Sequence, residues 1–190
     1  MRIENQKAGL LVVCVSLFMS FLASAQEQAN VEGLDTLSGN LVFLVRHFEK
    51  QTSDTLNNQL KDPGLTQRGQ TRAQALAIFL ADKNITSIFS TNYKRTLQTA
   101  APTAQQVDID IALYNPSELA KFAGQLRVSA SAGKGNILIV GHSNTTPQLL
   151  KLLGGPDTVL SEDDYGDLFY LALTNSERSA PSAFHQIMIE

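Results

Sequence analysis

Two of the three histidines in this 190-residue sequence follow directly on short apolar runs. Leu41-Val42-Phe43-Leu44-Val45 runs into Arg46-His47, and Ile137-Leu138-Ile139-Val140 runs into Gly141-His142. A lone histidine is most often a hydrogen-bonded core residue. Two at equivalent positions, one of them preceded by arginine, read instead as a pair placed for chemistry near neutral pH. A third apolar stretch, residues 85–89, leads into Ser90-Thr91-Asn92-Tyr93-Lys94-Arg95-Thr96. Arg95 falls in the first turn of the helix expected there, where a cation opposes the helix dipole. A cation in that place reads as one held by an anion that it shares with the helix N-terminus. Ser143-Asn144-Thr145 opens another helix just after His142 and offers backbone N–H groups to the same anion. Guanidinium forks match phosphate oxygens in bidentate geometry, so Arg46 and Arg95 together suit a phosphoryl group. A structural salt bridge is the rival reading of both arginines.

These side chains need elements to carry them to one place. The continuous apolar runs at 41–45 and 137–140 predict strands buried on both faces. Residues 85–89 and 109–113 predict further strands, and 167–173 and 184–189 predict strands nearer the sheet edge. Between them, Thr66 is the expected N-cap of a helix through Ala73, Leu76, Ala77 and Leu80. A second helix is predicted over 93–105, kinked or shortened by Pro102. Pro116 stands at a favoured first helical position ahead of Leu119, Phe122, Ala123 and Leu126. The last helix runs from about Asn144 to Gly154-Gly155. Strand and helix in alternation predict an α/β three-layer sandwich, a mainly parallel sheet with helices on both faces. Ligands of such sheets bind beyond the carboxyl ends of the strands, where both histidines are delivered.

Three segments now carry a family likeness. Arg46-His47-Phe48-Glu49, Ser90 through Thr96 with Gln98-Thr99-Ala100, and Gly141-His142-Ser143-Asn144-Thr145 resemble the three signatures of the histidine phosphatase superfamily, the phosphoglycerate mutase-like fold. The likeness spans Leu41 to about Gly155, and Asp62-Pro63-Gly64-Leu65-Thr66 to Gly69 resembles the family's approach to its first helix. The resemblance implies that His47 is a nucleophile that becomes transiently phosphorylated. It implies that Arg46, Arg95 and His142 surround the phosphoryl group, with Ser143 and Asn144 beside it, and that water completes the hydrolysis. It implies no metal and no cofactor. The family also supplies a leaving-group acid, for which Glu118, in Tyr114-Asn115-Pro116-Ser117-Glu118, is the candidate and Glu49 the rival. Thr96 and Asn144 are expected to support the pocket through hydrogen bonds. Phe48 stands where mutase-like members carry glycine, which resembles the smaller bacterial phosphatase branch. With no long insertion to close over a bisphosphate, the expectation is a metal-independent phosphomonoesterase of histidine acid phosphatase type. A non-catalytic phospho-ligand binding module and a phosphotransferase or mutase are the alternatives.

Composition narrows the partners. Net charge is −3, with no long basic run, which leaves no footprint for nucleic acid. The expected partner is a phosphorylated small molecule or macromolecule, and no sequence feature specifies an assembly. Arg2 and Lys7 precede an apolar run over 8–23, followed by Ala23-Ser24-Ala25 and polar Gln26-Glu27-Gln28. That order predicts a secretory signal peptide over 1–25, cleaved after Ala25, and a periplasmic or secreted protein without stable membrane insertion. The run is shorter than the roughly 20 residues of a spanning helix. A lipoprotein signal at Cys14 is disfavoured by bulky Val13. Residues 26–39 read as a linker and 40–190 as the histidine phosphatase-like domain. Cleavage removes Cys14, the only cysteine, and with it any thiol chemistry. His185 reads as structural or exposed, and Asp157 with Glu162-Asp163-Asp164 as a solvated acidic loop without a calcium-loop pattern. Ser143 lacks the closing glycine of a G-x-S-x-G elbow.

Overall fold

The computed structural model describes residues 40–52, 61–131, 133, 135–173 and 184–190. The expected signal peptide and linker, with Cys14, lie outside the described residues, as do positions 53–60 of the loop after the first strand. Among the described residues are six strands and four helices: β1 (Asn40–Arg46), α1 (Gln67–Leu80), β2 (Ile85–Ser90), α2 (Lys94–Val107), β3 (Ile111–Leu113), α3 (Leu119–Ser131), β4 (Asn136–Gly141), α4 (Thr145–Leu152), β5 (Asp167–Leu173) and β6 (Phe184–Met188). They form one mixed sheet in the order β3-β2-β4-β1-β5-β6. The first three pairings in that order are parallel, and β5 runs antiparallel to both β1 and β6.

The apolar runs become central strands because both their faces are covered. Val42 and Leu44 pair with Ile137 and Ile139 and share a core with Phe122, Ala123 and Leu126 of α3 and Leu149 and Leu150 of α4. Phe43 and Val45, of opposite parity, pair with Leu138 and Val140 and are equally buried. On that other side, α2 packs on β2 and β4, and α1 packs along α2. Each large apolar side chain so buried contributes about 1.5–3 kcal/mol.

Thr66 caps α1 as expected, accepting from the Gly69 N–H. Gly69 lies against the chain leaving β1, since a Cβ there would sit 2.5 Å from the Glu49 carbonyl oxygen. Two expectations need correction. α2 is not shortened by Pro102 but continues past the expected end at Gln105 to Val107, because its buried face of Thr96, Thr99, Ala100 and Thr103 holds it on the sheet despite one missing N–H donor. It ends at Asp108 in the left-handed conformation, which delays β3 to Ile111. Pro116 is not the first residue of a helix either. Asn115 closes a turn by accepting from Ser117 N–H and Glu118 N–H, and α3 starts only at Leu119.

Candidate active site

Parallel pairing of β1 with β4 sets Arg46 opposite Gly141, so His47 and His142 are the next pair beyond the strand ends. The ladder extends one further step, with His47 N–H donating to the Gly141 carbonyl at 3.0 Å. The two rings meet edge to face with centroids 5.5 Å apart. Gly141 is required by close approach, since a Cβ would sit within 3 Å of the hydroxyl oxygens of Thr145, Thr146 and Tyr114.

The hydrogen bonds of His47 define its tautomer. Nδ1 lies 2.8 Å from the Phe48 carbonyl oxygen, which can only accept, so Nδ1 carries the proton. Nε2 is then the nitrogen with the lone pair. Phe48 is itself held by its N–H to Thr99 Oγ1. Burial, with the charges of Arg95 and Arg46 and the nearby His142, lowers the His47 pKa to about 3. Burial and the same two arginines lower His142 to about 4. Both imidazoles are therefore neutral at ordinary pH. His142 Nε2 is 2.8 Å from Thr91 Oγ1, which bonds Thr96 Oγ1 in turn, leaving Nδ1 for a ligand. Thr96 thus supports the pocket as expected; no side-chain cap bond comes from Asn144.

A cavity of about 510 Å³ opens over the rings, lined by His47, Lys50, Tyr93, Arg95, Pro116, His142, Ser143, Asn144, Thr145 and Glu162. Arg95 projects from the first turn of α2 with its guanidinium 4.5 Å over the Tyr93 ring. Part of the anion expected at this helix end is supplied by the protein: Asp62 accepts from Lys94 N–H and lies 3.7 Å from Arg95 Nη1. The buried Nε of Arg95 has no protein acceptor.

Arg46 departs from its expected bidentate role. Its Nη1 donates to the carbonyls of Ser161 (2.6 Å) and Asp164 (2.9 Å), and its Nη2 to Glu162 O (2.9 Å) and Glu162 Oε2 (3.3 Å). Its guanidinium also stacks 4.2 Å over Tyr165. The fork therefore clamps the loop before β5, and only its buried Nε lacks an acceptor. An anion in the cavity is the natural partner for orphaned donors of this kind.

Neither acid candidate lines the cavity. Glu118 precedes α3, is half exposed and pairs with Lys121. Glu49 pairs with Arg68 at 3.2 Å and Arg72 at 3.0 Å. Glu162, expected in a solvated loop, does line the cavity. It accepts from Ser143 Oγ at 2.8 Å and lies 3.8 Å from Lys50 Nζ. Its pKa is lowered by the Ser143 hydrogen bond and by Arg46, Lys50 and Arg95. Lys50 is set in place by an antiparallel bridge between Lys50 and Leu65. Sequence reasoning missed Lys50, Tyr93, Thr91 and Glu162 as pocket residues. Thr91 and Tyr93 stood within the 90–96 motif, whereas Lys50 and Glu162 carried no signal. Among the described residues no group of three or more His, Cys, Asp or Glu is placed to hold a metal ion.

The model of the histidine phosphatase superfamily (branch 1) matches residues 42–115, the stretch that carries His47 and Arg95. Three solved structures share the fold. The protein histidine phosphatase SixA complexed with tungstate is 14% identical with a TM-score of 0.63, over 78% of this chain and 96% of that one. A mycobacterial glucosyl-3-phosphoglycerate phosphatase is 13% identical with a TM-score of 0.56, over 80% and 98%. The alpha-ribazole phosphatase from Shigella flexneri is 18% identical with a TM-score of 0.53, over 72% and 96%. No curated protein matches the chain in sequence. The family match over residues 42–115 supports phosphatase activity, and the three solved structures show a shared fold.

Proposed function

We propose that this chain is an exported, metal-independent phosphohydrolase that cleaves phosphomonoesters through a phosphohistidine on His47. The observation that carries the reading is the pair of neutral imidazoles under a cationic cavity, with the lone pair of His47 on Nε2. A neutral, oriented imidazole is the reactive form of the nucleophile. Arg95 and the Nε–H of Arg46 then offset the charge of the phosphoryl oxygens, the work that Mg²⁺ does in other phosphoryl-transfer sites, and His142 joins them once the bound anion has raised its pKa and given it a second ring proton. Water attacks the phosphohistidine and releases inorganic phosphate. Phosphorylated small molecules or proteins are the substrates, in keeping with neighbours named for glucosyl-3-phosphoglycerate, alpha-ribazole and protein histidine phosphatase activities. Export rests on the basic, apolar and small-residue order of 1–25, and predicts a mature chain beginning at Gln26.

The test is phosphate release from an aryl phosphate in the presence of a chelator, with acid-labile label trapped on the protein. His47→Ala should abolish both release and labelling. Full turnover by that variant would sink the reading. Labelling without release would favour the transfer alternative, and phosphate-competitive binding with neither labelling nor release would favour the binding module.

A further inference from the structure

With Glu118 and Glu49 both outside the cavity lining and paired with cations, neither acid candidate is placed at the site. One carboxyl group does reach the cavity over the two histidines: among the described residues, Glu162 is the only acidic side chain lining it. Its position has a geometric consequence. His47 is 3% exposed and forms the floor, whereas the Glu162 side chain is 70% exposed and stands at the mouth. In-line displacement from Nε2 puts the leaving oxygen opposite the nucleophile, away from the floor and toward the mouth. The water that later attacks the phosphohistidine must arrive along the same line. The backbone bearing Glu162 is fixed, since Arg46 holds the carbonyls of Ser161, Glu162 and Asp164. Its carboxylate is steered by Ser143 Oγ and Lys50 Nζ.

We propose that Glu162 is the acid–base residue of this site, protonating the leaving oxygen and then activating the hydrolytic water. The proposal rests on the phosphohistidine route given above. In the free protein the carboxyl is ionised, held so by Ser143, Arg46 and Lys50. A monoester that enters as its monoanion brings the proton. Its negative charge engages the same cations and crowds the carboxylate, both of which raise the proton affinity of Glu162. The proton passes from the phosphoryl oxygen to Glu162. The Nε2 lone pair then forms the P–N bond while the P–O bond breaks, and its electron pair leaves on the oxygen, which takes the Glu162 proton and departs as an alcohol. Water next attacks phosphorus and gives a proton to the Glu162 carboxylate. The P–N electron pair returns to Nε2, and the departing phosphate recovers the proton. Nδ1–H remains on the Phe48 carbonyl throughout.

The experiment compares kcat/KM for a nitrophenyl phosphate, whose leaving group departs unprotonated, with that for a simple alkyl phosphate, whose leaving group cannot. Glu162→Gln keeps an acceptor for Ser143 and removes the transferable proton. The alkyl-to-aryl ratio should fall about 100-fold or more, and Glu162→Asp should restore part of it. Equal losses on both substrates would reduce Glu162 to a wall of the pocket and overturn the assignment. Faster turnover of both would make the carboxylate a plug, which overturns it equally. An alkyl-selective loss in Glu118→Gln, with none in Glu162→Gln, would return the role to Glu118. Wild-type protein that cleaves neither substrate would defeat the phosphohistidine reading itself, and this proposal with it.

Discussion

The cavity is built from two matching sets of side chains, each a histidine at a strand end, an arginine and a tyrosine under that arginine. Around His47 stand Arg46 and Tyr165; around His142 stand Arg95 and Tyr93. The sets look alike in composition and differ in how the guanidinium is used. The Arg46 fork is engaged by three backbone carbonyls and is 2% exposed. Arg95 lines the cavity, and among the described residues its carboxylate partner is Asp62, at a long 3.7 Å. The same residue type therefore has its fork tied to backbone on one side and turned to the cavity on the other. What divides them is the supply of acceptors: a loop of irregular backbone has free carbonyls to offer, and a helix N-terminus has none.

The sharpest way to break that comparison is to remove each arginine. Arg95→Ala should lower kcat/KM about 100- to 1,000-fold, the cost of one transition-state donor, with an unchanged melting temperature. Arg46→Met should instead cost about 3 kcal/mol of stability, because three carbonyls and the Glu162 carboxylate lose their partner. Denaturant unfolding reads that loss. If Arg46→Met melts like the parent protein and loses as much activity as Arg95→Ala, the division of labour is wrong.

A pH titration sharpens the comparison between the histidines. Both folded-state pKa values lie below the ordinary 6.5, at about 3 for His47 and about 4 for His142. As pH falls through 6.5 the unfolded chain takes up protons that the folded rings refuse, so stability should decline from pH 6.5 to about 4. Thermal melts should show this slope, flattened in His142→Asn and in the presence of inorganic phosphate. A melting temperature constant over that window would contradict two buried neutral rings. The smallest expected effect is that of Thr91→Val, which removes the hydroxyl on His142 Nε2 and leaves the fold in place. It should lower kcat/KM about 5- to 10-fold, the worth of one hydrogen bond. A loss as large as that of Arg95→Ala would mean that Thr91 does more than orient the ring.

Much of this was legible before any coordinates. The strands at 41–45, 85–89, 137–140, 167–173 and 184–189 and the Thr66 cap were read from local pattern, and the sheet confirms them. The errors fell where local rules met tertiary packing. Pro102 lost to a buried helix face, and Pro116 lost to a turn closed by Asn115. The second error concerned the same segment as Glu118, which was read at a helix start and lies in the turn before Leu119.

Local chemistry alone was enough to mark His47, His142 and Arg95, because a polar residue that ends a buried strand or opens a helix announces itself within a few positions. Lys50 and Glu162 could not be found that way. Glu162 follows His47 by 115 positions in a polar loop with no periodicity, and only the antiparallel return of β5 beside β1, with Arg46 gripping the loop that leads into it, brings this carboxylate to the cavity that His47 lines. Backbone pattern is a short-range property of the chain, while the company a side chain keeps depends on which strands lie next to one another, and that is decided by the packing of the whole sheet.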